Sequence, residues 1–172
     1  LSDGADLIMF SGDKLFGSVQ SGIIAGSADL VNEIKNYSLF RTYRCSPMTL
    51  FELQETVLKY INKQEKEIPF WNLITQPYSS LEDRCKNIAK SISFSTSIEK
   101  GESVIGGGTL PDVTLESPVL LINNKNTADT INQLIKNDIP IIPRIIKDQV
   151  CLDLRSVFHN QDDIIVQALN NS

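Results

Sequence analysis

Two short apolar runs, Asp6–Phe10 and Gly22–Ala25, enclose a stretch rich in glycine and serine, Ser11-Gly12-Asp13-Lys14-Leu15-Phe16-Gly17-Ser18-Val19-Gln20-Ser21. Apolar runs of this length, bounded by glycines, read as buried strands. The enclosed turn then sets Lys14 and Gln20 at strand ends, where ligand-binding loops collect in open α/β sheets. Helical spacing follows at Leu30, Val31 and Ile34, within a segment from Ser27 to Asn36. Tyr37 to Cys45 has no periodicity and carries Arg41 and Arg44. Ser46-Pro47 reads as an N-cap followed by proline at the first helical position. The helix that they open is expected to reach Asn62 and to bury Leu50, Leu53, Val57, Leu58 and Ile61.

A charged stretch, Lys63 to Glu67, marks a domain boundary, dividing 1–67 from 68–172. Beyond it, Ser79 and Glu82 form a capping-box pattern before a helix with Leu81, Cys85, Ile88 and Ile92 on its inner face. Strands are expected around Phe94–Ile98 and Pro118–Ile122, then a helix over Thr127–Asn137. Two apolar runs, Ile139–Ile146 and Val150–Leu154, precede a last helix over Gln161–Asn170. Short elements in this order predict an α+β domain with a mainly antiparallel sheet.

With 172 residues, 41% of them hydrophobic, the chain can bury a core. No apolar run approaches the roughly 20 residues that a membrane span needs. A net charge of -5 argues against autonomous nucleic-acid binding, which calls for a basic face. Cys45, Cys85 and Cys151 are widely spaced, and they outline neither a disulfide framework nor a zinc site. A reducing, cytoplasmic setting is expected. The chain opens at Leu1 without an initiator methionine, and we read it as cut from within a longer protein.

Lys14, on a turn after a strand, is the leading candidate for chemistry. Partial desolvation at such a position would free its amine to form an imine. Ser11 offers a hydroxyl to a phosphate oxygen, and the nearby glycines let backbone N–H groups approach one. A solvated lysine in an ordinary loop is the plain alternative. Ser11-x-x-Lys14 also fits the S-x-x-K of serine β-lactamases, but the partner motifs S-D-N and K-T-G are absent.

The run Gly4-Ala5-Asp6-Leu7-Ile8-Met9-Phe10-Ser11-Gly12-Asp13-Lys14-Leu15-Phe16-Gly17, followed by Gln20-Ser21-Gly22-Ile23-Ile24-Ala25-Gly26, resembles the cofactor-lysine segment of the bacterial selenocysteine synthase (L-seryl-tRNA(Sec) selenium transferase) family. The likeness continues in order through Arg41-x-x-Arg44, Ile68-Pro69, Gly106-Gly107-Gly108-Thr109-Leu110-Pro111, Arg144-Ile145 and Leu152-Asp153-Leu154-Arg155. It implies the end of a fold-type-I PLP-dependent large domain followed by an α+β small domain. It implies conversion of seryl-tRNA(Sec) to selenocysteinyl-tRNA(Sec) with selenophosphate. Lys14 would hold pyridoxal 5'-phosphate and act as general base once displaced.

Arg41 and Arg44 would bind the selenophosphate anion, their forked guanidinium groups matching its oxygens; two exposed loop arginines are the bland reading. Asp13 would orient Lys14 or a neighbouring subunit's group, or cap the next turn. Arg144 is a candidate for substrate binding, although an aminoacyl ester has no free carboxylate and a structural ion pair suits it better; Arg155 is read the same way. The Gly106–Gly108 loop is a tight connection, His159 caps the last helix, and Trp71 packs at a domain interface.

The sequence departs from the family pattern at Ser18-Val19, where members read Gly-Pro, and at Cys45-Ser46-Pro47, where they read Val-Asp-Lys. The groups that hold the pyridine ring and the cofactor phosphate precede the lysine in this fold class. The chain alone is therefore expected not to complete the reaction, and a homo-oligomer is expected of the longer protein. Another fold-type-I lyase that eliminates a β-substituent, such as an amino-sugar-acid ammonia-lyase, and a non-catalytic relic are the competing readings.

Overall fold

A computed structural model describes residues 1–106, 110, 112–124 and 126–171. The chain divides into two compact units, Leu1–Asn72 and Leu73–Ser172.

In the first unit, β1 (Leu7–Ser11) and β2 (Gly22–Gly26) pair antiparallel, with Ser11 opposite Gly22 and Leu7 opposite Gly26. Helix α1 (Ala28–Asn36) packs on β2. A 3-10 segment, Ser38–Tyr43, fills the stretch that lacks periodicity. Helix α2 (Pro47–Ile61) starts as its sequence dictates: Pro47 occupies the first turn and the Ser46 hydroxyl accepts the Thr49 N–H at 3.1 Å. Its inner face differs from the expected apolar stripe. Leu50, Val57, Leu58 and Ile61 are exposed, while Thr49, Leu53, Thr56 and Tyr60, spaced one or two turns apart, are half-buried. The expectation of buried strands is corrected as well, since Ile8, Met9, Phe10 and Ile24 are exposed. A two-stranded ribbon with one helix packed on it lacks the layers that would cover both of its faces.

Helix α3 (Pro69–Ile74) spans the division. The second unit has α4 (Tyr78–Ser91), β3 (Ser95–Val104), β4 (Thr114–Asn123), α5 (Thr127–Lys136), β5 (Arg144–Ile146), β6 (Gln149–Asp153) and α6 (Asp162–Asn170). Its sheet has the order β3-β4-β6-β5 and every pairing is antiparallel. The α+β expectation with an antiparallel sheet holds.

The core follows from strand alternation. Leu120 and Ile122 of β4 and Val150 and Leu152 of β6 join Leu81, Cys85 and Ile88 of α4, Leu134 of α5 and Ile165 and Leu169 of α6 in one cluster. Val119, Leu121 and Cys151 form a smaller cluster. Burying each such aliphatic side chain stabilises by about 1.5–3 kcal/mol. Burial pushes the Cys85 thiol up to about 12, so it stays neutral within the core.

Three local expectations change. Helix α4 begins at Tyr78 behind Pro77, one residue before Ser79, and no side chain caps it. Glu82 instead pairs with Lys86 at 2.6 Å, one turn on. The apolar run from Ile139 forms a strand only from Arg144, because Pro140 and Pro143 have no N–H to give a ladder. Lys147 and Asp148, at φ 50° and 62°, make the two-residue turn from β5 into β6. His159 begins a 3-10 turn before α6, and Gln161, not His159, stands at the helix N-cap. Of the Gly106–Gly108 loop, Gly107 and Gly108 lie outside the described residues.

Candidate functional site

Lys14 sits on a turn closed by its own backbone. The Gly17 N–H donates to the Lys14 carbonyl at 2.8 Å and the Ser18 N–H to the Gly12 carbonyl at 2.8 Å. Gly17 has φ +73°, and a Cβ there would lie 2.6 Å from Ile68 Cγ2, so the turn admits only glycine at this point. Gly12 is held as tightly, since a Cβ on it would come within 2.6 Å of the Val19 carbonyl oxygen.

The Lys14 side chain is 49% exposed, and its Nζ lies 2.8 Å from Asp13 Oδ2. The turn thus leaves about half of the Lys14 side chain accessible, and its partner is the adjacent carboxylate. The hydrogen bond from Lys14 lowers the Asp13 carboxyl below its ordinary value, so Asp13 is ionised at neutral pH. Of the placements considered for Asp13, contact with Lys14 is the one present.

A cavity of about 1350 Å³ opens in the same unit. Its wall is largely apolar, with Leu7, Phe10, Ile24 and Phe40, and its polar side chains are few: Ser11, Glu33, Tyr37, Tyr43 and Arg44 among them. Ser11 and Arg44 are thus brought onto one cavity wall. Lys14, Asp13 and Arg41 are not part of that lining. Cys45, exposed, stands beside Arg44 on the wall.

Arg144 belongs to the second unit. It pairs with Asp153 Oδ2 at 3.0 Å and donates to the Glu102 carbonyl at 2.9 Å. Asp153 also accepts from Ser103 and Ser117 hydroxyls, at 2.5 and 2.9 Å. Arg155 is buried and donates to the carbonyls of Ile74, Gln76 and Glu116. Burial lowers its pKa, and those carbonyl dipoles take the place of solvent.

Sequence reasoning passed over the groups behind the lysine turn. The Tyr60 hydroxyl donates to the Phe16 carbonyl at 2.9 Å, and the Thr56 hydroxyl bonds that of Ser18 at 2.9 Å. Their signal was a hydroxyl-bearing stripe, Thr49, Thr56 and Tyr60, on a helix whose leucines drew the eye. Trp71, read as interface core, donates its indole N–H to the Tyr60 oxygen at 2.6 Å.

A fixed turn with a reachable primary amine fits the covalent attachment of an aldehyde-bearing cofactor. The hydroxyl of Ser11 and the guanidinium of Arg44 suit anionic oxygens. Among the described residues no group of histidine, cysteine and acidic side chains is arranged to hold a metal ion, and no helix is long and apolar enough to cross a membrane.

The family model described as L-seryl-tRNA selenium transferase matches residues 1–158. The L-seryl-tRNA(Sec) selenium transferase of Campylobacter fetus is 38% identical over 170 residues, 99% of this chain, and that of Clostridium perfringens is 34% identical over 178 residues, 98% of this chain. The chain spans 38% of the length of each. Among solved structures, a D-glucosaminate-6-phosphate ammonia-lyase superposes with a TM-score of 0.62 at 20% identity, covering 99% of this chain and 44% of that one. At that identity the likeness concerns the fold, which is thereby related to that of a lyase.

Proposed function

This chain belongs to the L-seryl-tRNA selenium transferase family, and on that premise we propose that it carries the Schiff-base lysine of an enzyme that converts L-seryl-tRNA(Sec) to selenocysteinyl-tRNA(Sec) with selenophosphate. The observation that carries the reading is Lys14: a half-exposed amine on a backbone-locked turn within the matched residues. The first unit then contributes the end of the PLP-binding large domain, and the second unit is the small domain. The longer enzyme works in the cytoplasm as a homo-oligomer.

PLP, when bound, supplies an electron sink that makes the seryl α-proton removable and lets the β-hydroxyl leave. Lys14 would hold the cofactor through its Nζ. As a free amine, Lys14 would be the base that accepts the α-proton at its Nζ. The Asp13 carboxylate, ionised and in contact with Nζ, stabilises the ammonium that results. Ser11 offers its hydroxyl to a phosphate oxygen of the cofactor. Arg44, on the cavity wall, binds selenophosphate oxygens, with Arg41 one 3-10 turn earlier as its companion. Arg144 commits its fork to Asp153 and the Glu102 carbonyl, which favours a structural ion pair over substrate binding.

The test is a turnover assay on the protein at its full native length, with tRNA(Sec) carrying labelled serine and with selenophosphate as donor. Lys14→Ala is expected to abolish selenocysteine formation. Arg44→Ala is expected to raise KM for selenophosphate about tenfold or more, the worth of one charge-assisted hydrogen bond. Turnover that survives Lys14→Ala contradicts the reading. The ammonia-lyase likeness concerns fold alone, and the relatives that share sequence carry the selenium-transferase name.

A further inference from the structure

Among the described residues the exposed Lys14 side chain pairs with its neighbour Asp13, so what the fold can fix is the place of the Lys14 backbone. That backbone forms the turn Lys14–Gly17, and its third residue, Phe16, is gripped from α2. Tyr60 Oη donates to the Phe16 carbonyl at 2.9 Å, and the Tyr60 and Phe16 rings stack at 5.1 Å with 23° between their planes. Phe10, at the end of β1, meets the Phe16 ring edge-on at 5.7 Å. Trp71 Nε1 lies 2.6 Å from Tyr60 Oη.

An indole nitrogen can only donate, so the Tyr60 oxygen accepts from Trp71 and its single proton is committed to Phe16. One turn earlier on the same helix face, Thr56 holds the Ser18 hydroxyl at 2.9 Å. The turn is thus clamped on either side of Gly17 by one rigid helix.

We propose that Tyr60 is a positioning residue for Lys14, setting the reach of its amine toward the cofactor aldehyde by holding the Phe16 carbonyl, with Trp71 fixing the direction of the Tyr60 hydroxyl. Ser18, where the family pattern has glycine, adds a second anchor through Thr56. The inference rests on Lys14 being the Schiff-base lysine.

It is tested on the protein at its full native length, mixed with PLP. Two quantities are read: the rate at which the imine band of Lys14 grows in, and the pH midpoint of that band. Tyr60→Phe keeps the ring stack and removes only the hydroxyl. Trp71→Phe leaves the hydroxyl and removes its guide. Ser46→Ala weakens the same helix at its far end and serves as a control for stability alone. Tyr60→Phe is expected to slow imine formation at least about fivefold, the worth of one hydrogen bond, and to move the pH midpoint. Trp71→Phe moves both in the same direction by less, and Ser46→Ala moves neither while lowering Tm.

The proposal is overturned if a folded Tyr60→Phe protein matches wild type in rate and midpoint, or if Ser46→Ala slows the reaction equally. Should Tyr60→Phe fail to fold, Trp71→Phe decides by the same criterion. If wild type itself forms no imine at Lys14, the Schiff-base reading fails and takes this inference with it, an outcome told apart because it appears before any variant is compared.

Discussion

Arg84 is the residue whose loss the second unit is expected to tolerate least. It is 3% exposed, and its guanidinium meets Asp162 through two bonds of 2.9 and 2.7 Å. It also donates to Gln76 Oε1 and to the carbonyls of Leu154 and Val157. Removing one partner of a buried, fully bonded pair strands the other groups without solvent. Arg84→Met is therefore expected to cost about 3–5 kcal/mol. Arg144 makes a comparable contact with Asp153 but is 44% exposed, so water screens the pair and Arg144→Met costs at most about 1 kcal/mol. Urea denaturation of the two variants checks the ranking; equal losses contradict it. The ion pair of Arg144 was among the roles the sequence left open, whereas that of Arg84 was not legible, since an arginine on a helix gives no sign of a carboxylate 78 residues away.

Helix α2 separates what local chemistry announces from what only packing decides. Its start was readable in Ser46-Pro47, because an N-cap and a proline at the first turn act within a few residues of themselves. Ser46→Ala is expected to cost about 1 kcal/mol, read from the urea midpoint; an unchanged midpoint contradicts the assigned cap. The inward face was not readable. Leucines, a valine and an isoleucine at helical spacing predict a buried stripe, yet of these only Leu53 is half-buried, beside Thr49, Thr56, Lys59 and Tyr60. Periodicity reports which residues share a face and leaves open which face meets a neighbour. At β5 the opposite error occurred: Pro140 and Pro143 stood in the sequence, and the apolar residues around them masked their veto on ladder bonds.

At the scale of the molecule, the antiparallel sheet of the second unit was legible because its strands and helices are compact, patterned and bounded by turn residues. Its core residues Leu81, Cys85, Ile88 and Ile92 fall where alternation and helical spacing put them. The first unit was read less well, since strands that look buried by composition are exposed in it. The lysine turn itself stood out through its glycines, which the geometry at Gly12 and Gly17 requires. The grip of α2 on that turn joins residues 44 positions apart and leaves no local trace. The central claim concerns one atom, Nζ of Lys14, and the most direct measurement is the position of a trapped cofactor. The protein at its full native length is mixed with PLP, reduced with borohydride and mapped by peptide mass spectrometry. The account predicts a phosphopyridoxyl group on the peptide that contains Lys14, lost in Lys14→Ala; a label on another lysine, or none, contradicts it.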